Sequence, residues 1–193
     1  MKVVSPLHNI HKEGLYGNFE NKNENDLIKI KEIKNASIYQ IVKYNKSNIN
    51  MSEIKFDNLE FPKNLKVTSN NETRILWIGP NNWLAISTKK NLNNLFENFG
   101  EKEFAITDLS HSRSIIELVG KSTYEVIKKG CPINLTNIKL NSCSNSVFNG
   151  ITITLDFLND DPKKMRIMTL RSFGESLYNS LTDSCLEYGY KAI

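Results

Sequence analysis

Residues 144–158 read SNSVFNGITITLDFL, and the pattern is that of a β-hairpin. Asn149-Gly150 is the dipeptide that best tolerates the positive φ angles of a type I′ turn. The run after it alternates, with Ile151, Ile153, Leu155 and Phe157 facing one way and Thr152, Thr154 and Asp156 the other. Such a strand belongs in a larger sheet, and the chain supplies further candidates. LIKIKEI (27–33) and ASIYQIVKY (36–44) alternate in the same manner, and RILWIGPNNWLAIS (74–87) reads as two strands around Gly79-Pro80-Asn81-Asn82. FAITDL (104–109), SRSIIELVG (112–120) and MRIMTL (165–170) complete the strand set.

Helical spacing occurs in three places. In TKKNLNNLFENFG (88–100), Leu92, Leu95, Phe96 and Phe99 fall at i, i+3, i+4 and i+7 before Gly100, which predicts a helix packed by one face. Ser122 with Glu125, and Ser172 with Glu175, have the S-x-x-E spacing of a capping box, in which hydroxyl and carboxylate satisfy orphan backbone N–H groups. The first predicts a short helix to Lys129 closed by Gly130. The second predicts a final helix with a stripe of Phe173, Leu177, Leu181, Cys185 and Tyr188. Strands and helices in this order do not alternate strictly, so the expected class is α+β, a mixed or antiparallel sheet covered by helices. Residues 1–26 are polar and glycine-containing, which reads as an N-terminal arm before a single domain over 27–193. Residues 45–73 carry only scattered apolar positions and no diagnostic pattern.

Composition narrows the functional classes. With 39% hydrophobic and 24% charged residues the 193-residue chain is too apolar for intrinsic disorder. The net charge of +4 is spread among asparagines and acids without a basic stripe, which argues against nucleic-acid binding. Cys131, Cys143 and Cys185 are odd in number and lack C-x-x-C spacing, so neither a disulfide framework nor a zinc site is expected, and a reducing cytoplasm fits best. No segment has the apolar length of a signal peptide core or a membrane span.

The densest chemistry lies in DLSHSR, where Asp108, His111 and Arg113 fall within six positions. A nucleophilic set would need Cys131 to meet a base such as His111. Cys131 also sits between Gly130 and Pro132, where a small side chain packs well at a helix end. Asp108 and His111 have a turn reading too, because Asp, Ser and His hydrogen-bond the backbone of turns. His8 and His11 have H-x-x-H spacing with no third ligand nearby, and Asp156, Asp160 and Asp161 read as a solvated turn before Pro162. No dinucleotide or phosphate-binding glycine motif occurs. Residue chemistry alone yields no catalytic assignment.

Four separated segments, IGPNNWLAI, DLSHSRSIIELVG, KKGCPINL and RSFGESLYNSLTDSCLEYG, together resemble the gamma subunit family of heterotetrameric sarcosine oxidase, and the N-terminal S-P-L also fits. The family pattern reads approximately GP-x-x-W-L, D-x-S-H-x-R, G-C-P-x-D-L and R-S-F-x-x-S-L-W. Asn134 stands where an Asp is usual and Tyr178 where a Trp is usual.

The resemblance implies an α+β fold similar to the folate-binding domain of the glycine-cleavage aminomethyltransferase. It also implies an accessory chain without a cofactor or metal of its own, in a cytoplasmic complex that oxidises sarcosine. FAD, FMN, NAD and tetrahydrofolate would then belong to the larger alpha and beta subunits, and zinc to the small delta subunit. A free-standing folate-binding or aminomethyl-transferring protein is the alternative, and the substrate could also be a related N-methyl amine. Within that picture His111 and Arg113 are the candidate subunit-docking residues. Arg113 offers a planar fork for bidentate contact with a carboxylate, and a surface ion pair is the competing reading.

Overall fold

A computed structural model describes residues 4–89, 92–97 and 99–193. These form two compact units. The first comprises residues up to Lys34, Ser112–Leu140 and Asn145–Ile193, and the second Asn35–His111 with Asn141–Ser144. The expected arm is therefore part of the first unit, and the expected single domain over 27–193 clusters as two.

The first unit is a mixed sheet in the order β1-β14-β2-β10-β13-β12-β11. Its strands are β1 (Gly14–Tyr16), β2 (Ile28–Glu32), β10 (Arg113–Val119), β11 (Cys143–Phe148), β12 (Ile151–Asp160), β13 (Lys163–Leu170) and β14 (Tyr190–Ala192). All described pairings are antiparallel except β14 with β2. The Asn149-Gly150 hairpin forms as the sequence implies, with φ of 46° and 83°.

Alternation then selects the core face. Ile153, Leu155 and Phe157 of β12, Met165 and Ile167 of β13, Ile116 and Leu118 of β10, and Ile28 and Ile30 of β2 are all buried in one cluster. Two helices contribute to it. From α1 (Thr123–Lys128) come Val126 and Ile127, and from α2 (Gly174–Cys185) come Leu177, Leu181 and Cys185. Burying a Leu or Ile side chain stabilises by ~1.5–3 kcal/mol, so this single face dominates the unit's stability.

The other face of the sheet holds a charged ladder. Glu117 and Arg166 are register partners, with Arg166 Nε donating to Glu117 Oε2 at 3.0 Å, and Lys164 Nζ lies 2.9 Å from Glu117 Oε1. Asp156, expected in a solvated turn, is mid-strand opposite Arg166 and 0% exposed. The cause is the length of β12, which continues to Asp160 instead of ending before the acids.

Neither capping box forms. Ser122 precedes α1 at φ −87°, ψ 6° with no side-chain cap, and Glu125 instead pairs with Lys128 at 2.8 Å. A capping residue ordinarily has extended backbone angles, which Ser122 lacks. Ser172 falls inside a 3-10 turn, Arg171–Phe173, that leads into α2 without a side-chain cap.

The second unit is an antiparallel sheet in the order β6-β7-β8-β3-β9, with a small separate hairpin. The strands are β3 (Ser37–Lys43), β6 (Val67–Ser69), β7 (Thr73–Gly79), β8 (Asn82–Ser87) and β9 (Phe104–Asp108), and the hairpin is β4 (Lys55–Phe56) with β5 (Leu59–Glu60). Asp57 and Asn58 adopt φ of 54° and 62° in that hairpin's turn. The helix expected over 88–100 is replaced, among the described residues, by a 3-10 turn at Asn93–Phe96, with residues 90, 91 and 98 outside the description. Its apolar residues still pack: Phe99 meets Phe56, Phe61 and Phe104 at ring-centre distances of 6.2, 6.0 and 5.0 Å.

Asp57 organises the polar side of this unit. Its Oδ1 accepts from Lys89 Nζ at 2.6 Å, and its Oδ2 accepts from the Thr73 hydroxyl at 2.5 Å and from Asn70 Nδ2 at 3.3 Å. Burial disfavours the charged carboxylate, but the donors from Lys89, Thr73 and Asn70 outweigh it and hold the pKa below its ordinary 3.8.

Two outcomes follow. A carboxylate with a lowered folded pKa contributes stability that is complete above the unfolded value and is lost as pH falls through the folded one. Asp57→Asn should therefore melt lower than the parent protein at neutral pH, with the gap closing as pH falls below 3.8; a pH series of thermal melts reads this directly. Ser172→Ala removes no cap and should leave the melt within ~0.5 kcal/mol of the parent in chemical denaturation.

Candidate docking site

The stretch DLSHSR joins two different sheets. β9 ends at Asp108 in the second unit, β10 starts at Arg113 in the first, and the unit boundary falls between His111 and Ser112. The first half of the motif builds a turn. Asp108 Oδ1 accepts from the Ser110 N–H at 2.8 Å, the Ser110 hydroxyl accepts from the Ile38 N–H at 2.9 Å, and the Leu109 N–H donates to the Ile38 carbonyl at 2.7 Å. Hydrogen bonding from the Ser110 side chain, opposed by burial and aided by the Ser110 N–H and the nearby His111, keeps the Asp108 carboxyl below its usual range. His111 is exposed at the tip. The turn reading of Asp108 describes this geometry, since its carboxylate is occupied by backbone.

Arg113 is different in kind. It opens β10 opposite Leu170, the last residue of β13, and its side chain is half-buried. No hydrogen bond or ion pair reaches its guanidinium among the described residues, and burial pulls its pKa below the ordinary arginine value. Elsewhere in the unit the buried charges are paired, as Glu117 is with Arg166 and Lys164.

Several segments singled out in the sequence meet at the start of β10, the strand that Arg113 opens. The Arg171 N–H donates to the Ser112 carbonyl at 2.8 Å, and the Arg171 guanidinium donates to the Val4 carbonyl. A Cβ on Gly174 would lie 3.1 Å from Ser114 and 3.3 Å from Pro6, so a glycine lets α2 begin close against β10. Ser5 donates to the buried Glu32, which also accepts from the Leu7 N–H at 3.2 Å and so ties the S-P-L segment to β2. The corner is fringed by apolar side chains left in water: Leu170 is 46% exposed, Phe173 48% and Val4 51%. Phe173 was expected on the buried stripe of α2; the 3-10 turn rotates it out. Sequence periodicity alone gives no signal for that exposure.

The remaining candidates are accounted for by structure. Cys131 is a core residue of the first unit whose thiol lies 3.3 Å from the Ser146 hydroxyl. Burial pushes the Cys185 thiol up to about 12, far from a reactive thiolate. His11 bridges the Tyr178 hydroxyl at 2.9 Å and the Ile193 carbonyl at 3.1 Å, while His8 is exposed. Among the described residues no three metal-capable side chains converge, and no helix is long and apolar enough to cross a membrane. In the second unit the GP-x-x-W-L segment borders an open cleft of about 830 Å³, lined among others by Phe61, Trp77, Pro80 and Trp83, with Trp83 Nε1 donating to the Pro62 carbonyl at 3.1 Å. Most of its wall comes from 51–66, a stretch with no diagnostic sequence pattern, so the cleft is not legible in the sequence.

Comparison with known proteins gives one family. The profile described as Sarcosine oxidase, gamma subunit family matches residues 51–187. Sarcosine oxidase subunit gamma of Corynebacterium sp. (strain P-1) is 35% identical over 65 residues, 33% of this chain and 32% of that protein, and the Arthrobacter sp protein of the same name gives the same figures. The counterpart from Corynebacterium sp. (strain U-96) is 27% identical over 121 residues, 60% of this chain and 58% of that one. The chain thus aligns with a third to somewhat over half of these relatives' length.

Among solved structures, a chain of heterotetrameric sarcosine oxidase from Corynebacterium sp. U-96, in complex with pyrrole 2-carboxylate, shares the fold. The TM-score is 0.80 at 20% identity, over 96% of this chain and 95% of that one. Glycine cleavage system aminomethyltransferase T from Bartonella henselae shares it with a TM-score of 0.61 at 10% identity, over 93% of this chain and 57% of that one. The expected α+β fold and its likeness to the aminomethyltransferase are therefore observed.

Proposed function

Because the chain belongs to the sarcosine oxidase gamma subunit family, we propose that it is the gamma subunit of a cytoplasmic heterotetrameric sarcosine oxidase and acts there as an accessory chain that stabilises the assembly. The observation that carries this reading is the family match over residues 51–187, with three gamma subunits as relatives. In this reading the larger alpha and beta subunits hold FAD, FMN, NAD and tetrahydrofolate, and the small delta subunit holds zinc. They convert sarcosine, tetrahydrofolate and oxygen to glycine, methylenetetrahydrofolate and hydrogen peroxide. This chain contributes surface, with His111 and Arg113 as docking residues. The placement of its motif side chains supports that division: Asp108 serves a turn, Cys131 and Cys185 serve a core, and Arg113 is half-buried without an acceptor among the described residues.

A second reading rests on the fold shared with aminomethyltransferase T, and takes the chain as a free-standing folate-binding or aminomethyl-transferring protein. The chain covers only 57% of that protein, which counts against it.

The chain should be expressed alone and together with the other three subunits, and sarcosine-dependent peroxide formation measured. No turnover is expected from the isolated chain, and omitting it from the co-expression should lower the yield and thermal stability of the complex. Turnover by the isolated chain would falsify the accessory role. Calorimetric titration of the isolated chain with tetrahydrofolate separates the second reading, which predicts micromolar binding.

A further inference from the structure

The corner around Arg113 has a chemistry specific enough to name what covers it. We infer that Arg113 receives a carboxylate side chain of another polypeptide of the assembly, set among apolar residues that cover Leu170, Phe173 and Val4. The inference rests on the reading of the chain as a subunit and names the partner chemistry at one site.

Three observations carry it. First, the guanidinium is half-buried and meets no acceptor among the described residues, although every other arginine has one or holds an interaction. A cation removed from water without a partner is unfavourable, and a planar fork of five donors is matched best by a bidentate carboxylate. Second, the apolar surroundings are exposed where the chain stands alone, with Leu170 in register with Arg113 and Phe173 three residues further on. Scattered apolar side chains on a surface are ordinary, but a half-buried arginine at the same strand end brings together residue types enriched at the centre of protein interfaces. Third, the site is held rigid. Arg171 is tied to Ser112 and Val4, Gly174 lies against Ser114 and Pro6, and Ser5 and Leu7 are fastened to Glu32. A preorganised surface loses little freedom on binding.

A polypeptide fits better than a small anion. A free carboxylate would engage Arg113 and leave the three apolar side chains in water, whereas a partner surface covers both. Arg171, whose guanidinium is already committed to the Val4 carbonyl, serves as a rim.

The test uses the co-expressed four-subunit complex with Arg113→Ala, Arg113→Lys and Phe173→Ser, reading the dissociation constant of this chain from the complex and the melt of the isolated chain. The expected result for Arg113→Ala is affinity weakened by about thirtyfold or more, the lower end for truncating one side of a desolvated charge pair, with an unchanged melt. Arg113→Lys should recover little of it, because an ammonium cannot reproduce the fork, and Phe173→Ser should weaken binding on its own. Raising the salt should reduce the wild-type affinity only slightly, since a dry pair is poorly screened.

Wild-type affinity for Arg113→Ala overturns the inference while leaving the subunit reading intact. So does a lowered melt of the isolated chain with full affinity, which would make Arg113 a part of the fold. A wild-type chain that the other subunits do not retain overturns the subunit reading itself. If Arg113→Ala does not fold, the comparison of Arg113→Lys with Phe173→Ser decides: both must weaken retention.

Discussion

The antiparallel register of β10 with β13 is the constraint on which the first unit depends. It runs from Arg113 opposite Leu170 to Val119 opposite Lys164. Because side chains alternate across a sheet, a slip of one residue would exchange faces and carry Ile116, Leu118, Met165 and Ile167 out of the core. The same slip would part Glu117 from Arg166. One pairing therefore fixes an apolar face, a charged face and a terminus, and the terminus is where Arg113 and Leu170 stand together. β2 adds to β10 on one side and β12 to β13 on the other, so the later strands inherit their register from this pair.

Charge is handled differently at the two kinds of position. Glu117 receives two cations, Asp57 receives a lysine and two neutral donors, and Glu32 accepts from Ser5 and a backbone N–H. Each is a buried carboxylate with its acceptor sites filled, the condition under which burial of charge is tolerated. Arg113, half-buried in the same unit, meets no such partner among the described residues.

Legibility in the sequence followed the range of the interactions involved. Hairpins set by local turn chemistry, at Asn149-Gly150 and around Asn81, formed where the pattern placed them. The three-residue strands β1 and β14 escaped notice because they are too short to show periodicity and owe their existence to pairing between the two ends of the chain. At 88–100 the helical spacing was real but local preference was weak, with asparagine at 91, 93, 94 and 98. Phe99 and its aromatic neighbours then took over the packing, leaving a 3-10 turn whose Leu95 and Phe99 N–H groups reach back three residues. The capping boxes failed for a related reason. S-x-x-E states which groups could bond, and the backbone angle at the first residue, which tertiary packing sets, decides whether they do.

The candidate site divides along the same line. The segments S-P-L, D-L-S-H-S-R and R-S-F are visible in the chain as separate signals, yet what joins them is three-dimensional: a glycine that admits a helix against a strand, an arginine bonded to a carbonyl 167 residues away, a phenylalanine turned outward by a 3-10 turn. From sequence, Arg113 fits an ion pair within its own chain as well as it fits a dock, because residue type fixes the donor and says nothing of the acceptor. Among the described residues no acceptor meets its guanidinium. Fold likeness cannot make that distinction. The same architecture recurs at 10% identity in an aminomethyltransferase, and a shared fold carries function only through the side chains grafted on it. Here Arg113 and Leu170 stand together at the rim of the sheet, where β10 begins and β13 ends, a place fixed by register and not by fold likeness.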